Sequence, residues 1–173
     1  MADQIAGMPD RWARLWAPHR MEYLKGENRP LSENAVECPF CRIPKLSDEE
    51  GLIVARGVSA YVVMNLYPYN AGHLLICADR HVADLTDLTK DERDEISELT
   101  AHAMVTLRKV SSPAGFNLGM NQGTISGAGV AEHIHQHVVP RWAGDANFMP
   151  LIGQTKVMPV LLSQTRTELA AAW

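Results

Sequence analysis

The sequence predicts an α+β domain with a mainly antiparallel sheet, a long helix and a C-terminal helix. Three observations lead there. Short β-rich runs follow one another between turn signals in the first half, one long run with helical spacing interrupts them, and two further β-rich runs flank a glycine-rich loop after it.

Taken in order, residues 1–36 read as an arm of irregular composition. They hold one helical candidate, Asp10 to about Leu24, in which Trp12, Leu15, Trp16 and Leu24 form an apolar stripe interrupted by Pro18. Exposed tryptophans are uncommon, so the arm is expected to pack on the domain or on a second subunit. The main domain is expected over 37–150. Its first strands are Leu52–Ala55, Tyr61–Asn65 and His73–Ala78, separated by turn signals at Gly57 and at Pro68-Tyr69-Asn70-Ala71-Gly72. Asp84 to Val110 reads as a helix: Ile96, Leu99, Ala103, Met104 and Leu107 recur at three- and four-residue steps, acidic residues load the first turns, and Pro113 lies just past the end. A fourth strand, Gly115–Gln122, and a fifth, about Ala131 to Pro140, enclose the loop Gly123-Thr124-Ile125-Ser126-Gly127-Ala128-Gly129. The tail, 151–173, carries a helix from about Pro159 to Trp173, proline being acceptable in a first turn.

Composition narrows the function. At 173 residues, 46% hydrophobic and 21% charged, the chain has the make-up of one folded domain. A net charge of -4 provides no basic field for a nucleic-acid backbone, so an anionic ligand must be captured locally. No apolar run approaches the ~20 residues that span a bilayer. Asp3, Asp10 and early prolines stand where a secretory signal would need a basic and then an apolar stretch, so a cytoplasmic location is expected. The three cysteines, two of them in Cys38-Pro39-Phe40-Cys41, suit metal binding or redox chemistry better than a disulfide scaffold. Cys77, inside a strand run, reads as a small core residue.

The chemistry concentrates in His133-Ile134-His135-Gln136-His137-Val138-Val139-Pro140-Arg141. On a strand, alternate side chains share a face, so His133, His135 and His137 line one ledge while Gln136 points away. Three imidazoles that titrate near neutrality and stand within mutual reach suit either nucleophilic and proton-transfer chemistry or a metal site. The glycine-rich loop just upstream favours the first, because its backbone N–H groups, with Gly127, Ala128 and Gly129 nearest the strand, can nest phosphate oxygens without net positive charge.

This segment resembles the signature of the histidine-triad (HIT) superfamily: histidine, apolar, histidine, any residue, histidine, then two apolar residues. The likeness extends over roughly Glu37 to Phe148, through Asn65-Leu66-Tyr67-Pro68-Tyr69-Asn70-Ala71-Gly72-His73, Gln122-Gly123 and Pro140-Arg141-Trp142-Ala143-Gly144-Asp145, and is nearest to the fragile-histidine-triad branch that cleaves dinucleoside polyphosphates. It implies a HIT-like fold in which His135 is the nucleophile on an α-phosphorus, forming a nucleotidyl-imidazole, with His137 and His133 completing the catalytic row. It implies nucleotide contacts from Asn65, His73 and Gln122. The nest of Gly127, Ala128 and Gly129 is expected to add phosphate contacts, and the broad face of Trp142 suits either stacking on an adenine or packing a subunit contact. Asn65 is as readily explained by its own turn, His73 by a structural role beside the triad, and Arg141 either by distal phosphates or by plain exposure.

The resemblance also implies a structural zinc on Cys38, Cys41, His81 and His133, with no cofactor needed for the covalent chemistry itself. Free buried thiols are the alternative. The expected partners are an adenine dinucleotide or mononucleotide and inorganic phosphate, with no nucleic acid and no membrane, and the assembly is a homodimer or larger homo-oligomer. Gln136, Trp142 and the long arm resemble the bacterial diadenosine tetraphosphate phosphorylases of HIT type, which implies phosphate as second nucleophile. The alternatives are a HIT hydrolase of dinucleoside polyphosphates or adenosine phosphoramidates, and a non-catalytic nucleotide- or metal-binding module.

Overall fold

The computed structural model describes residues 38–145 and 158–173. The helical candidate in the arm, and the junction of the domain with the tail, lie outside the described residues. Five strands form one antiparallel sheet: β1 (Ile53–Arg56), β2 (Ala60–Met64), β3 (Leu74–Ala78), β4 (Gly115–Met120) and β5 (His135–Arg141). Their order is β1-β2-β3-β5-β4, which confirms the expected class. Among the described residues, the short helix α1 (Pro39–Arg42), the long helix α2 (Lys90–Ser111) and the C-terminal helix α3 (Leu162–Ala172) accompany it.

β2 and β3 are buried at every position, as their nearly unbroken apolar runs demand of central strands covered on both faces. On one face Val62, Met64, Leu74, Ile76 and Val138 meet Ile96, Ala103 and Leu107 of α2 and Leu169 of α3. Fully burying a leucine such as Leu169 contributes about 1.5–3 kcal/mol. Arg166 fastens the same helix to the far edge of the sheet, donating from Nε to the Ile53 carbonyl at 2.7 Å. On the opposite face Tyr61, Val63, Leu75 and Cys77 pack with Cys38 and Phe40. Cys77 is fully buried there, as expected of a small core residue.

Element boundaries differ from the expected ones where other groups compete for the backbone hydrogen bonds. The long helix starts at Lys90, six residues later than the periodicity suggests. Asp84 caps a separate 3-10 turn (Leu85–Asp87), and Thr89 with Glu92 forms the capping box that opens the helix. Strand β5 begins at His135 because the Ile134 N–H is taken by the Val82 carbonyl, 2.7 Å away, outside the sheet ladder. The C-terminal helix begins at Leu162, after a bend at Pro159 and Val160. β5 lies between β3 and the edge strand β4, so its histidines sit well inside the sheet and face the side not covered by α2.

Candidate active site

His135 pairs across the sheet with Cys77, and His137 with Leu75 on one side and Gly119 on the other. Directly opposed residues share a face, so the β5 register alone puts both rings on the surface away from the long helix. A Cβ at Gly119 would meet nothing within 4 Å, which leaves open space beside His137 on the edge strand. The ring centroids of His135 and His137 are 5.0 Å apart, and His135 also packs on Phe40 at 4.7 Å. The ledge is deeper than expected: His135 is 5% exposed.

Hydrogen bonds to groups of fixed polarity determine which nitrogen of each ring holds the proton. Nδ1 of His135 lies 2.8 Å from the His133 carbonyl, which can only accept, so Nδ1 carries the hydrogen and Nε2 keeps its lone pair. The Tyr69 amide donates to Nδ1 of His73 at 3.0 Å, so His73 is protonated on Nε2. That nitrogen sits 2.9 Å from Nδ1 of His137 and donates to it, leaving the His137 hydrogen on Nε2. Nε2 of His137 is buried without a hydrogen-bond partner. A bare nucleophilic lone pair and an unspent N–H donor therefore stand on neighbouring rings. Burial lowers the pKa of His135. It lowers that of His137 to about 4, with repulsion from His135 as a second cause. Both rings are neutral near pH 7, as this tautomer assignment requires.

His133 leaves the row for a different task. It is fully buried, its Nε2 donates to the Ala78 carbonyl at 2.8 Å, and its Nδ1 faces the Cys38 and Cys41 sulfurs at 3.4 and 3.5 Å. Nδ1 of His81 lies 3.3 Å from the Cys41 sulfur, and the four ligand atoms all fall within 4.8 Å of one another. Two thiols and two imidazoles at this spacing have the geometry to hold a metal ion. The edges of a tetrahedral zinc site, from bond lengths near 2.0–2.3 Å, run to about 3.3–3.8 Å. A ligating histidine whose second nitrogen donates to a carbonyl is also the usual outer arrangement. Burial, followed by the neighbouring Cys38, pushes the Cys41 thiol up to about 11. Neither His135 nor His137 belongs to this cluster.

The remaining predicted site residues are distributed as follows. His73 is fully buried, with Nδ1 also 3.3 Å from the Asn65 amide nitrogen, and Asn65 Oδ1 accepts from the Tyr67 amide at 3.0 Å. Gln122 Oε1 accepts from the Leu85 amide at 2.6 Å. Gly127 and Ala128 are buried, Gly129 is half-buried, and Gly127 has the positive φ of 86° that a glycine allows. Trp142 Nε1 donates to the Ser111 carbonyl at 3.1 Å, tying the end of β5 to the end of α2. Arg141 makes a two-pronged pair with Asp145 at 2.6 and 2.8 Å and donates to Asn117 at 2.6 Å. Gln136, which faces the long-helix side of the sheet opposite Ile76, donates from its amide to the His137 carbonyl at 3.1 Å. Sequence reasoning assigned no role to Tyr69, whose ring stacks near His137 (centroids 5.6 Å apart), or to Phe40. Phe40 had a signal in its place between the two cysteines.

Comparison with known proteins agrees with this geometry. Residues 49–144 match the HIT domain family. The AP-4-A phosphorylase of Mycobacterium tuberculosis is 50% identical over 99% of this chain and 89% of its own. The asymmetrical bis(5'-nucleosyl)-tetraphosphatase of Schizosaccharomyces pombe is 33% identical over 47% of this chain and 44% of its own. Among solved structures, a zinc-bound histidine triad family protein from Mycobacterium smegmatis superposes with a TM-score of 0.64 at 22% identity, covering 80% of this chain and 94% of that one.

Proposed function

The chain belongs to the HIT domain family, and on that premise we propose that it is a nucleotidyltransferase which splits diadenosine tetraphosphate by phosphorolysis, carrying the nucleotidyl group on His135. The observation that carries this reading is the pair of tautomers: Nδ1 of His135 is committed to the His133 carbonyl, and the free N–H of His137 lies beside the lone pair that remains.

In the first step Nε2 of His135 attacks one α-phosphorus, a P–N bond forms, and the P–O bond to the rest of the chain breaks, releasing ATP. Burial keeps the ring neutral, so the lone pair is present at pH 7. Nε2–H of His137 donates to a phosphate oxygen as negative charge builds there, in a site with little water to compete. The polyphosphate leaves as a stable anion and needs little help from a general acid. In the second step inorganic phosphate attacks the same phosphorus, the P–N bond breaks, and ADP leaves. Asn65, Gln122 and Trp142 are proposed to meet the nucleotide through what their local hydrogen bonds leave free. For Trp142 that is the indole face, since its N–H is spent on Ser111.

The metal proposed for Cys38, Cys41, His81 and His133 is a structural zinc. With four protein ligands it offers no open position and supplies no chemistry to the transfer. His133 would share in the reaction through its backbone, by fixing the His135 tautomer.

The identity of the near-full-length relative supports phosphate as acceptor. Purified protein incubated with diadenosine tetraphosphate is expected to give ATP and ADP only when phosphate is present. ATP and AMP formed with or without phosphate would make it a hydrolase, and no turnover would refute the enzymatic reading.

A further inference from the structure

Resting on that reading, we infer that Asp145 is a positioning residue for the reaction: with Asn70 and Arg141 it clamps the β2–β3 turn to the end of the histidine strand and so holds His137 in its Nε2–H form. Its carboxylate collects donors from two segments. Oδ2 accepts from the Asn70 amide at 2.7 Å, from Arg141 Nε at 2.6 Å and from the Trp142 backbone at 3.1 Å, while Oδ1 accepts from Arg141 Nη2 at 2.8 Å. The same Asn70 nitrogen donates to the Pro140 carbonyl at 2.9 Å, and Arg141 Nη1 extends the network to Asn117 on β4. Charge-assisted, two-pronged pairs of this kind are among the stronger hydrogen bonds in proteins, and the Asp145 side chain is only 10% exposed.

The turn needs such a fastening. Leu66, Tyr67 and Tyr69 are 61%, 80% and 48% exposed, so apolar burial does little to hold it, whereas Asn70 at its centre is buried. The residue before Asn70 is Tyr69, whose amide gives His73 its tautomer. Asn65, at the start of the same turn, also donates from its amide to Nδ1 at 3.3 Å, so if the turn shifts and both donors leave, Nδ1 of His73 can take up the hydrogen and Nε2 becomes an acceptor. His137 must then donate from Nδ1, and it presents a lone pair to an anionic phosphate oxygen where an N–H is needed. The clamp therefore acts through three consecutive hydrogen bonds without touching substrate. In the same clamp the Arg141 guanidinium is shared between Asp145 and Asn117.

The test is long-range 1H–15N correlation spectroscopy of the histidine rings in the full chain at neutral pH, with steady-state rates on diadenosine tetraphosphate and phosphate. Wild type is expected to show His137 as the Nε2–H tautomer alone. Asp145→Asn and Asn70→Ala are each expected to add an Nδ1–H population and to lower kcat by about 10- to 100-fold with a smaller change in KM. Asn70→Ala keeps the Arg141 pair and stays decisive if Asp145→Asn does not fold. An unchanged tautomer in folded variants overturns the inference, whether or not kcat falls. A wild-type His137 protonated on Nδ1 would overturn the reading of the site itself, and the clamp with it.

Discussion

Replacing His137 by alanine removes the one buried ring N–H that no group among the described residues uses. If that hydrogen meets charge developing on the phosphate in a desolvated site, its loss should cost about 2.7–4 kcal/mol of transition-state stabilisation, on the order of 10²–10³ in kcat. A second effect falls on stability. Nε2 of His73 loses the hydrogen bond it makes at 2.9 Å inside the fold, and a typical hydrogen bond contributes about 0.5–1.5 kcal/mol. The two effects separate experimentally: urea denaturation reads the second, and initial rates of ATP and ADP formation, resolved by ion-exchange chromatography at saturating substrates, read the first. His137→Gln is the internal control, because its amide oxygen can accept from His73 while its NH2 group points into the site, and it should recover part of kcat. A folded His137→Ala protein with wild-type kcat, or a defect confined to KM, would refute the assignment, since an interaction used only in the transition state must appear in kcat.

Further predictions follow from the same geometry. Burial lowers His135 from its ordinary value near 6.5 and His137 to about 4, so both rings stay neutral as pH falls below 6.5. The acid limb of kcat should therefore have its midpoint below 6.5, and a midpoint at or above it would contradict the burial argument. The stability contribution has the same sign: the unfolded chain binds these protons first, so stability is full above 6.5 and declines as pH falls toward about 4, measurable by thermal melts. Because the Cys41 thiol is held protonated without metal, zinc added to the metal-free protein should release protons, and Cys41→Ser should lower both bound zinc and melting temperature. Stoichiometric zinc in that variant would refute the four-ligand set. Thr89→Ala breaks the capping box of α2 and should cost about 1 kcal/mol in urea denaturation while leaving kcat unchanged.

What was legible in the chain followed local periodicity. The alternation of His133, His135 and His137 is a property of any strand, and the antiparallel register then puts His135 and His137 on the open face. Thr89 and Glu92 stand in the sequence as a capping box, yet the expected helix begins at Asp84, because nothing local says that Asp84 will cap a turn of its own. The division of labour among the histidines came from the family resemblance, which already set His133 with the cysteines, and not from any local pattern. His133 turns to the cysteines because Ala78, at the far end of β3, takes its other nitrogen, and that contact spans 55 residues. The His73 to His137 bond spans 64 residues and Asn70 to Asp145 spans 75, so the tautomers that give the site its polarity are tertiary facts. Gln136 was the reverse case: a polar residue behind the catalytic row had to find a partner, and the carbonyl of His137 is that partner.

The most direct measurement of the central claim is the stereochemical course at phosphorus, using substrate made chiral at the α-position by sulfur and labelled oxygen. Transfer through nucleotidyl-His135 is two in-line displacements, each inverting, and predicts net retention in the product ADP. Net inversion would mean that phosphate attacks the dinucleotide directly, and that the lone pair on His135 never bonds to phosphorus.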